Sequence, residues 1–352
     1  MTRSKTRVRA VVTVPLPEEL CRLIEELEPR LDVIREHALY RPMRGPADWS
    51  GDPAATRTPD EQQRFDAMVD SADVLFGIPD VDPAALARTV GANPALRWVM
   101  TTAAGGGAQI KAAGLSHDAL DRIVFTTSAG VHGSALAEFA VFAVLAGAKG
   151  LPRLLRDQRD RTWPDRWEMR QLDELTVLVV GLGGIGVECA RRFSALGATV
   201  WGTTRTGRPV DGVDRLVPIE DLAHAAGSVD AIVVTLPGTE HTHHLVGADV
   251  LGGVRPGIVF ASVGRGTVVD ERALLHALDE GRISFAALDV FEVEPLPAAS
   301  PLWSDPRVLI SPHTAALDSR EEERIARRFA ADATRFLDGK PMQSVVDTVE
   351  FY

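Results

Sequence analysis

Short apolar runs rich in β-branched residues alternate with helical patterns from the start of the chain. Val8–Val14, Leu31–Ile34, Val74–Ile78, Trp98–Thr102 and Ile123–Thr127 read as strands. Strands separated by helices predict a parallel sheet. Between Tyr40 and Thr58 the pattern breaks into "YRPMRGPADWSGDPAATRT", rich in Pro, Gly and Asp. A loop that long inside a domain is functional or mobile. The stretch "HGSALAEFAVFAVLAGAKG" predicts a helix, and the polar "RDQRDRTWPDRW" after it reads as a surface connection. A second strand–helix series begins at Leu175: "LTVLVVGLGGIG", "ATVWGTT", "DAIVVTL", "GIVFASV", "SFAALDV" and "RVLISPH". Each run is alternating or continuously apolar and is bounded by Gly, Pro or Asp, as in buried strands. The charged, amphipathic Ser319–Leu337 reads as a terminal helix.

Two α/β series of different pattern predict two domains, and 352 residues suffice for both. If the terminal helix packs back on the first series, the chain crosses between the domains twice, and a cleft between them is a natural active site. Composition fits a globular protein, 45% hydrophobic and 25% charged. The formal net charge of −11 argues against a general nucleic-acid or anionic-membrane surface. Cys21 and Cys189 are far apart and form no CxxC pair, which suits a reducing compartment and buried thiols. The apolar run after the basic "MTRSKTRVRA" is too short for a signal peptide, and Ala135–Ala148 and Val177–Val187 are too short to span a bilayer. A cytoplasmic protein is expected.

The segment "VLVVGLGGIGVECARRF" carries Gly181-x-Gly183-x-x-Gly186. This motif is weak alone, but here it follows an apolar strand and opens a helical pattern. In that setting the first glycine permits a tight turn, the second admits a pyrophosphate to the backbone, and the third lets helix and strand pack. The helix N-terminus adds N–H groups and partial positive charge. The acid that usually holds the adenine ribose should follow about 20 residues on, yet Thr204, about 18 positions after Gly186, stands there. Arg205 and Arg208 follow it. A ribose 2′-phosphate would accept hydrogen bonds from hydroxyl and guanidinium groups, which favours NADP over NAD. The alternative is that both arginines are ordinary solvated charges.

Three downstream segments each bring reactive side chains to the carboxyl end of a strand, where ligands bind in open α/β sheets. They offer Arg265; Asp289, Glu292 and Glu294; and His313. Arg, Glu and His converging on one site suit a 2-oxo acid. A guanidinium clamps the carboxylate and polarises the ketone. A histidine gives a proton to the oxygen as hydride arrives, and a carboxylate beside it holds the tautomer. Singly, each has a plain reading: a loop charge, a turn residue before Pro295 and a polar strand end.

Over nearly its whole length the chain resembles the D-isomer-specific 2-hydroxyacid dehydrogenases. The motifs that carry this are "GLGGIG", "LPGTEHTHHLV", "ASVGRGTVVDERALLHAL", "ALDVFEVEPLP" closing in "SPLW", and "VLISPHTA", in that order. The resemblance implies two Rossmann-like domains with the active site in the cleft between them: a flavodoxin-like substrate domain, residues 1–131 and 319–352, and a doubly wound dinucleotide-binding domain, residues 132–318. It implies catalytic roles for Arg265, for Glu294 paired with His313, and for His313 as acid/base. It places Asp289 near the nicotinamide amide. Along the cofactor it places Leu182, Gly184 and Ile185 of the glycine turn, then Thr203, Thr204, Arg205, Leu236, Pro237, Thr242, Val263 and His313. In "LRWVMTTAAGGGAQI" the backbone N–H groups of Ala104 and Gly105 would hold the substrate carboxylate with Arg265 and His313. The stretch "TTSAGVHGSALAEFAVFAVLA", with Glu138, resembles the crossing into the cofactor domain. A homodimer is implied, with the helix around residues 132–150 as a candidate contact.

Three positions depart from the family pattern. Ser262 stands where Asn is common. Gly106-Gly107 replaces Val-Asp after the substrate loop, which predicts a more mobile or roomier loop. Thr204 replaces the ribose acid. In "EHTHH", His241, His243 and His244 raise a metal site, but without Cys or clustered acids beside them a solvated loop is expected and no metal. The resulting expectation is a reductase of a small 2-oxo acid, glyoxylate or hydroxypyruvate first, using NADP, with NAD possible. The alternatives are phosphoglycerate-dehydrogenase-like activity, or a non-catalytic dinucleotide sensor like the C-terminal-binding-protein corepressors.

Overall fold

The computed structural model describes residues 7–205 and 207–351, so the N-terminal residues before Arg7 and Thr206 of the segment after the second Rossmann strand lie outside the described residues. The chain forms two compact units: Met1–His132 with Leu317–Tyr352, and Gly133–Ala316. The first builds β1 (Val8–Val12), α1 (Glu18–Leu27), β2 (Leu31–Ile34), α2 (Pro59–Asp70), β3 (Val74–Phe76), α3 (Pro83–Ala92), β4 (Trp98–Met100), α4 (Gly107–Ala112), α5 (His117–Arg122) and β5 (Val124–Thr126). The second builds α6 (Gly133–Ala148), α7 (Leu151–Arg159), β6 (Thr176–Val180), α8 (Gly184–Ala195), β7 (Thr199–Thr203), β8 (Arg215–Val217), α9 (Leu222–Ala226), β9 (Ala231–Val234), α10 (Ala248–Leu251), β10 (Ile258–Ser262), α11 (Glu271–Asp279), β11 (Ile283–Leu288) and β12 (Val308–Ile310). The chain then returns to the first unit as α12 (Glu321–Leu337).

The first sheet has the order β2-β1-β3-β4-β5, parallel throughout, which is the flavodoxin-like winding. Alternation sends Ala10, Val12, Val74, Phe76, Trp98 and Met100 to one face, against α1 and α12. Val11, Leu75, Val99 and Phe125 line the other, against α2 to α5. Trp98 stacks on Phe329 of α12 with centroids 4.7 Å apart, while its indole N–H donates to Thr126 Oγ1 at 2.9 Å. That partner lets a large polar-tipped ring sit fully buried.

The second sheet runs β12-β11-β10-β9-β6-β7-β8, also parallel, the doubly wound order with one further strand. Val177, Val179, Val233, Ala261 and Ala287 face α6 and α8. Leu178, Val180, Val234, Phe260 and Leu288 face α9 to α11. With helices on both faces the central strands read as unbroken apolar runs. The two Rossmann-like sheets expected from the sequence are thus the fold observed.

Four details differ from the pattern reading. Strands β1, β3, β4 and β5 stop one or two residues before their apolar runs do, because the chain turns into loops there. The edge strand β8 is three residues with a charged start, and its sequence gives little periodicity to read. The expected surface connection begins as helix: Arg156–Arg159 complete α7, which Pro152 starts after Gly150 and the Arg153–Asp157 pair supports at 3.6 Å. The loop after Tyr40 is anchored. Trp49 is buried in the first core, Tyr40 Oη donates to the Val12 carbonyl at 2.8 Å, and Arg57 forks onto Asp80 at 2.7 and 2.8 Å.

Cys21 and Cys189 are fully buried, and burial pushes both thiols up to about 12. Among the described residues no single helix is long and apolar enough to cross a membrane.

Candidate active site

The glycine turn lies between β6 and α8. Gly181 takes φ +103°, a conformation that favours glycine. Its N–H donates to Thr203 Oγ1 at 2.9 Å, and Leu182 N–H donates to the Thr203 carbonyl at 2.8 Å. Thr203 is therefore a buried brace under the turn. Thr235, which the sequence did not single out, completes it by donating from Oγ1 to the Gly181 carbonyl at 2.5 Å. A Cβ on Gly186 would lie 1.9 Å from that carbonyl oxygen, so the helix can start this close to the strand only with glycine there. Gly183, the N-cap of α8, is the opposite case: a Cβ built on it meets nothing within 4 Å. Open space over first-turn N–H groups fits a pyrophosphate.

Beyond β7, Thr204 is half-buried and Arg205 and Arg208 are exposed. Leu236 is half-buried and Pro237 exposed after β9, with Thr242 Oγ1 donating to the Pro237 carbonyl at 2.7 Å. Val263 is buried, its N–H donating to the Val234 carbonyl at 3.0 Å. Arg265 follows β10, half-buried, with one guanidinium nitrogen donating to the Gly264 carbonyl at 2.8 Å.

The best-defined geometry is at Asp289, Glu294 and His313. Asp289 is 1% exposed at the end of β11. Its Oδ1 accepts from Ser311 Oγ at 2.5 Å and from the N–H groups of Thr314 and Ala315 at 2.9 Å each. Its carbonyl accepts from His313 N–H at 3.0 Å. Asp289 thereby builds the turn that carries His313, whose φ of +53° is unusual for a non-glycine residue and sits where function is often found. His313 Nδ1 lies 2.7 Å from Glu294 Oε2. Glu294 Oε1 in turn accepts from Phe291 N–H at 3.0 Å. A carboxylate only accepts, so Nδ1 carries the proton and Nε2 is the nitrogen available for exchange.

Asp289 Oδ2 is buried without a hydrogen-bond partner among the described residues. A buried lone acceptor demands a donor, and a nicotinamide carboxamide N–H₂ is such a donor. Together with the space over Gly183, this buried acceptor fits a nicotinamide dinucleotide. Ser262 Oγ is a second buried atom without a partner, on the opposite face of the sheet from Asp289 by strand alternation.

In the first unit, Thr101–Gly107 follows β4. Thr101 Oγ1 donates to the Ala103 carbonyl at 2.9 Å. A Cβ on Gly106 would lie 1.9 Å from that hydroxyl oxygen, so the Thr101 side chain fills the space the glycine leaves. The loop is therefore closely packed at Gly106 and not roomier there, as its composition suggested. The N–H groups of Ala104 and Gly105 have no acceptor among the described residues.

The loop "EHTHH" is not uniformly solvated. His241 and His243 are exposed, but His244 is half-buried with Nε2 3.0 Å from Glu292 Oε1. Asp270 is also near, the ligand-type atoms of His244, Asp270 and Glu292 lying within 4.8 Å of one another. These atoms already have partners. Asp270 Oδ1 caps α11 through the N–H groups of Arg272 and Ala273, and Glu292 Oε1 accepts from Glu271 N–H at 2.9 Å. Burial, then the Glu292 charge, raises the Glu271 carboxyl above its ordinary range.

Comparison with known proteins agrees with this architecture. The family described as D-isomer specific 2-hydroxyacid dehydrogenase, NAD binding domain, matches residues 141–315. An uncharacterized protein in the proB 3'region of Corynebacterium melassecola is 31% identical over 230 residues, 65% of this chain and 76% of that one. Glyoxylate/hydroxypyruvate reductase A of Yersinia enterocolitica serotype O:8 / biotype 1B is 30% identical over 218 residues, 61% of this chain and 68% of that one. The crystal structure of a D-isomer specific 2-hydroxyacid dehydrogenase from Xanthobacter autotrophicus Py2, in complex with NADPH and MES, is similar with a TM-score of 0.74 at 30% identity, covering 99% of this chain and 100% of that one. The chain belongs to the D-isomer specific 2-hydroxyacid dehydrogenase family.

Proposed function

We propose that the protein reduces a small 2-oxo acid, glyoxylate or hydroxypyruvate first among them, with NADPH preferred over NADH. The observation that carries this is the His313–Glu294 pair at 2.7 Å, in the same unit as the glycine turn. The Yersinia relative acts on those two acids by name, and the Xanthobacter structure holds NADPH.

The reduced nicotinamide supplies the hydride. The chain's own residues do the rest. The Arg265 guanidinium would hold the substrate carboxylate and polarise the ketone, while Ala104 and Gly105 offer N–H groups of the kind that bind a carboxylate. His313 Nε2 gives its proton to the carbonyl oxygen and takes it back in the reverse direction. Glu294 keeps Nδ1 protonated and the ring aimed. Asp289 holds the turn beneath His313 through Oδ1, leaving Oδ2 to accept from a carboxamide. Gly181–Gly186 would seat the pyrophosphate, and Leu236, Pro237, Thr242 and Val263 would line the dinucleotide. Thr204 and Arg205 would hold a ribose 2′-phosphate.

The reading includes a homodimer in the cytoplasm. Exposed apolar side chains on and after α6 and α7, namely Phe142, Leu154, Leu155 and Trp163, support a covered face there. The test is NADPH and NADH oxidation with a panel of 2-oxo acids, run beside His313→Gln. The variant should lose at least about 100-fold in kcat. Full turnover by His313→Gln on a good substrate would remove His313 from the chemistry. Tight dinucleotide binding with no turnover of any 2-oxo acid would favour a sensor.

A further inference from the structure

Glu294 and His313 are both substantially exposed, with side-chain exposures of 35% and 44%. An exposed polar pair contributes little by itself, so a 2.7 Å alignment needs support from the loop that carries it. That loop is held from behind. Glu292 N–H donates to Glu271 Oε1 at 2.8 Å, and Glu271 N–H donates to Glu292 Oε1 at 2.9 Å. The exchange fixes residues 291–292 to the first turn of α11 through two charge-assisted bonds. One residue before Glu292, Phe291 N–H is the donor that holds Glu294 Oε1.

The same group reaches the Arg265 loop. His244 Nε2 lies 3.0 Å from Glu292 Oε1, and His244 N–H donates to the Thr267 carbonyl at 2.9 Å. Gly266 is in backbone contact with the Glu294 loop, since a Cβ there would lie 1.9 Å from both the carbonyl carbon and oxygen of Phe291. Arg265 and Glu294 are thus carried by two loops that touch at Gly266–Phe291 and share one anchor.

We infer that Glu292, tied to Glu271 and His244, is a positioning residue that aligns Glu294 with His313. This rests on the proposed roles of those two residues. Glu292 would touch neither substrate nor cofactor, so its effect must pass through its neighbours.

The test is steady-state NADPH oxidation with glyoxylate, using the full chain. Glu292→Ala should lower kcat about 10-fold while KM for glyoxylate stays within about twofold, because alignment is lost rather than ground-state binding. Glu292→Gln keeps an oxygen acceptor for Glu271 N–H and should return to within about threefold of wild type. In a Glu294→Gln background, Glu292→Ala should cost less than about twofold, since the group it positions is already disabled. A full further 10-fold loss in that background, or a loss explained by the unfolded fraction in thermal melts, overturns the inference. Should Glu292→Ala fail to fold, Glu271→Ala breaks the other half of the exchange and is put through the same cycle. If Glu294→Gln alone keeps wild-type kcat, the catalytic reading fails instead; if it is impaired while Glu292→Ala is additive, only the positioning role fails.

Discussion

Gly183 and Gly186 are three residues apart in one motif, and the structure gives them opposite surroundings. Gly186 is confined by protein, with the Gly181 carbonyl oxygen 1.9 Å from where a Cβ would stand. Both groups are backbone, so Gly186→Ala forces α8 away from β6. Overpacking of this kind costs about 1–3 kcal/mol or more, which for a unit of this size lowers Tm by about 2–4 °C per kcal/mol. Gly183 has nothing within 4 Å of its Cβ position and an extended backbone at φ −86°, which alanine accepts. Gly183→Ala should therefore change stability by no more than about 1 kcal/mol, the stiffer unfolded chain favouring alanine and the N-cap position favouring glycine. The added methyl would stand in the space proposed for the pyrophosphate at the helix N-terminus. A rise in the NADPH Kd of about 10- to 100-fold is expected, or about 1.4–2.7 kcal/mol. Calorimetric titration with NADPH beside thermal melts reads both quantities. Wild-type NADPH affinity in a folded Gly183→Ala would refute the assignment of that space to the cofactor. Parallel losses of Tm in the two variants would refute the steric distinction.

Cofactor choice is tested by Thr204→Asp with Arg205→Ala, which should move the kcat/KM ratio toward NADH by about 10-fold or more, as expected for repulsion between a carboxylate and a 2′-phosphate; an unchanged ratio returns Arg205 to a solvated charge. Glu28, 3% exposed, is held down to about 2 by Arg30, with Thr334 donating to it as well. Its folded-state pKa lies below the unfolded value near 4.5, so its contribution is present above that value and fades as pH falls toward 2. Glu28→Gln should cost about 2 kcal/mol at neutral pH and show a flatter Tm between those two pH values, an equal slope for variant and wild type counting against the argument. The two cysteines should be inert to a disulfide reagent in the folded protein at pH 8 and react fully in denaturant, a fast native reaction contradicting their burial.

The parts of the molecule that sequence exposes are those set by local rules. Alternating and continuous apolar runs mark β6, β9, β10 and β11, because strands buried on both faces admit nothing polar. The glycine turn is legible because its spacing follows from one strand end meeting one helix start. Arg265, Glu294 and His313 stand out because each reactive side chain ends an apolar run. What cannot be read is anything set by a partner distant in sequence. Nothing near Gly106 announces that Thr101 takes up the room it leaves, so composition alone suggested a looser loop than the one present. Nothing near His313 says that Asp289 carries its turn, or that one Asp289 oxygen is spent on that turn while the other has no partner among the described residues. Likewise Glu271 looks like a first-turn acid favoured by the helix dipole, and only the fold puts it in exchange with Glu292. The division has a physical cause. Residue type and spacing fix which groups can do the chemistry, whereas their aim depends on hydrogen bonds closed across the ends of several strands at once. Substitutions at the supporting positions should therefore degrade alignment while leaving the reactive residues in place, which is why Glu292→Ala is expected to act on kcat and His313→Gln to remove the proposed proton donor itself.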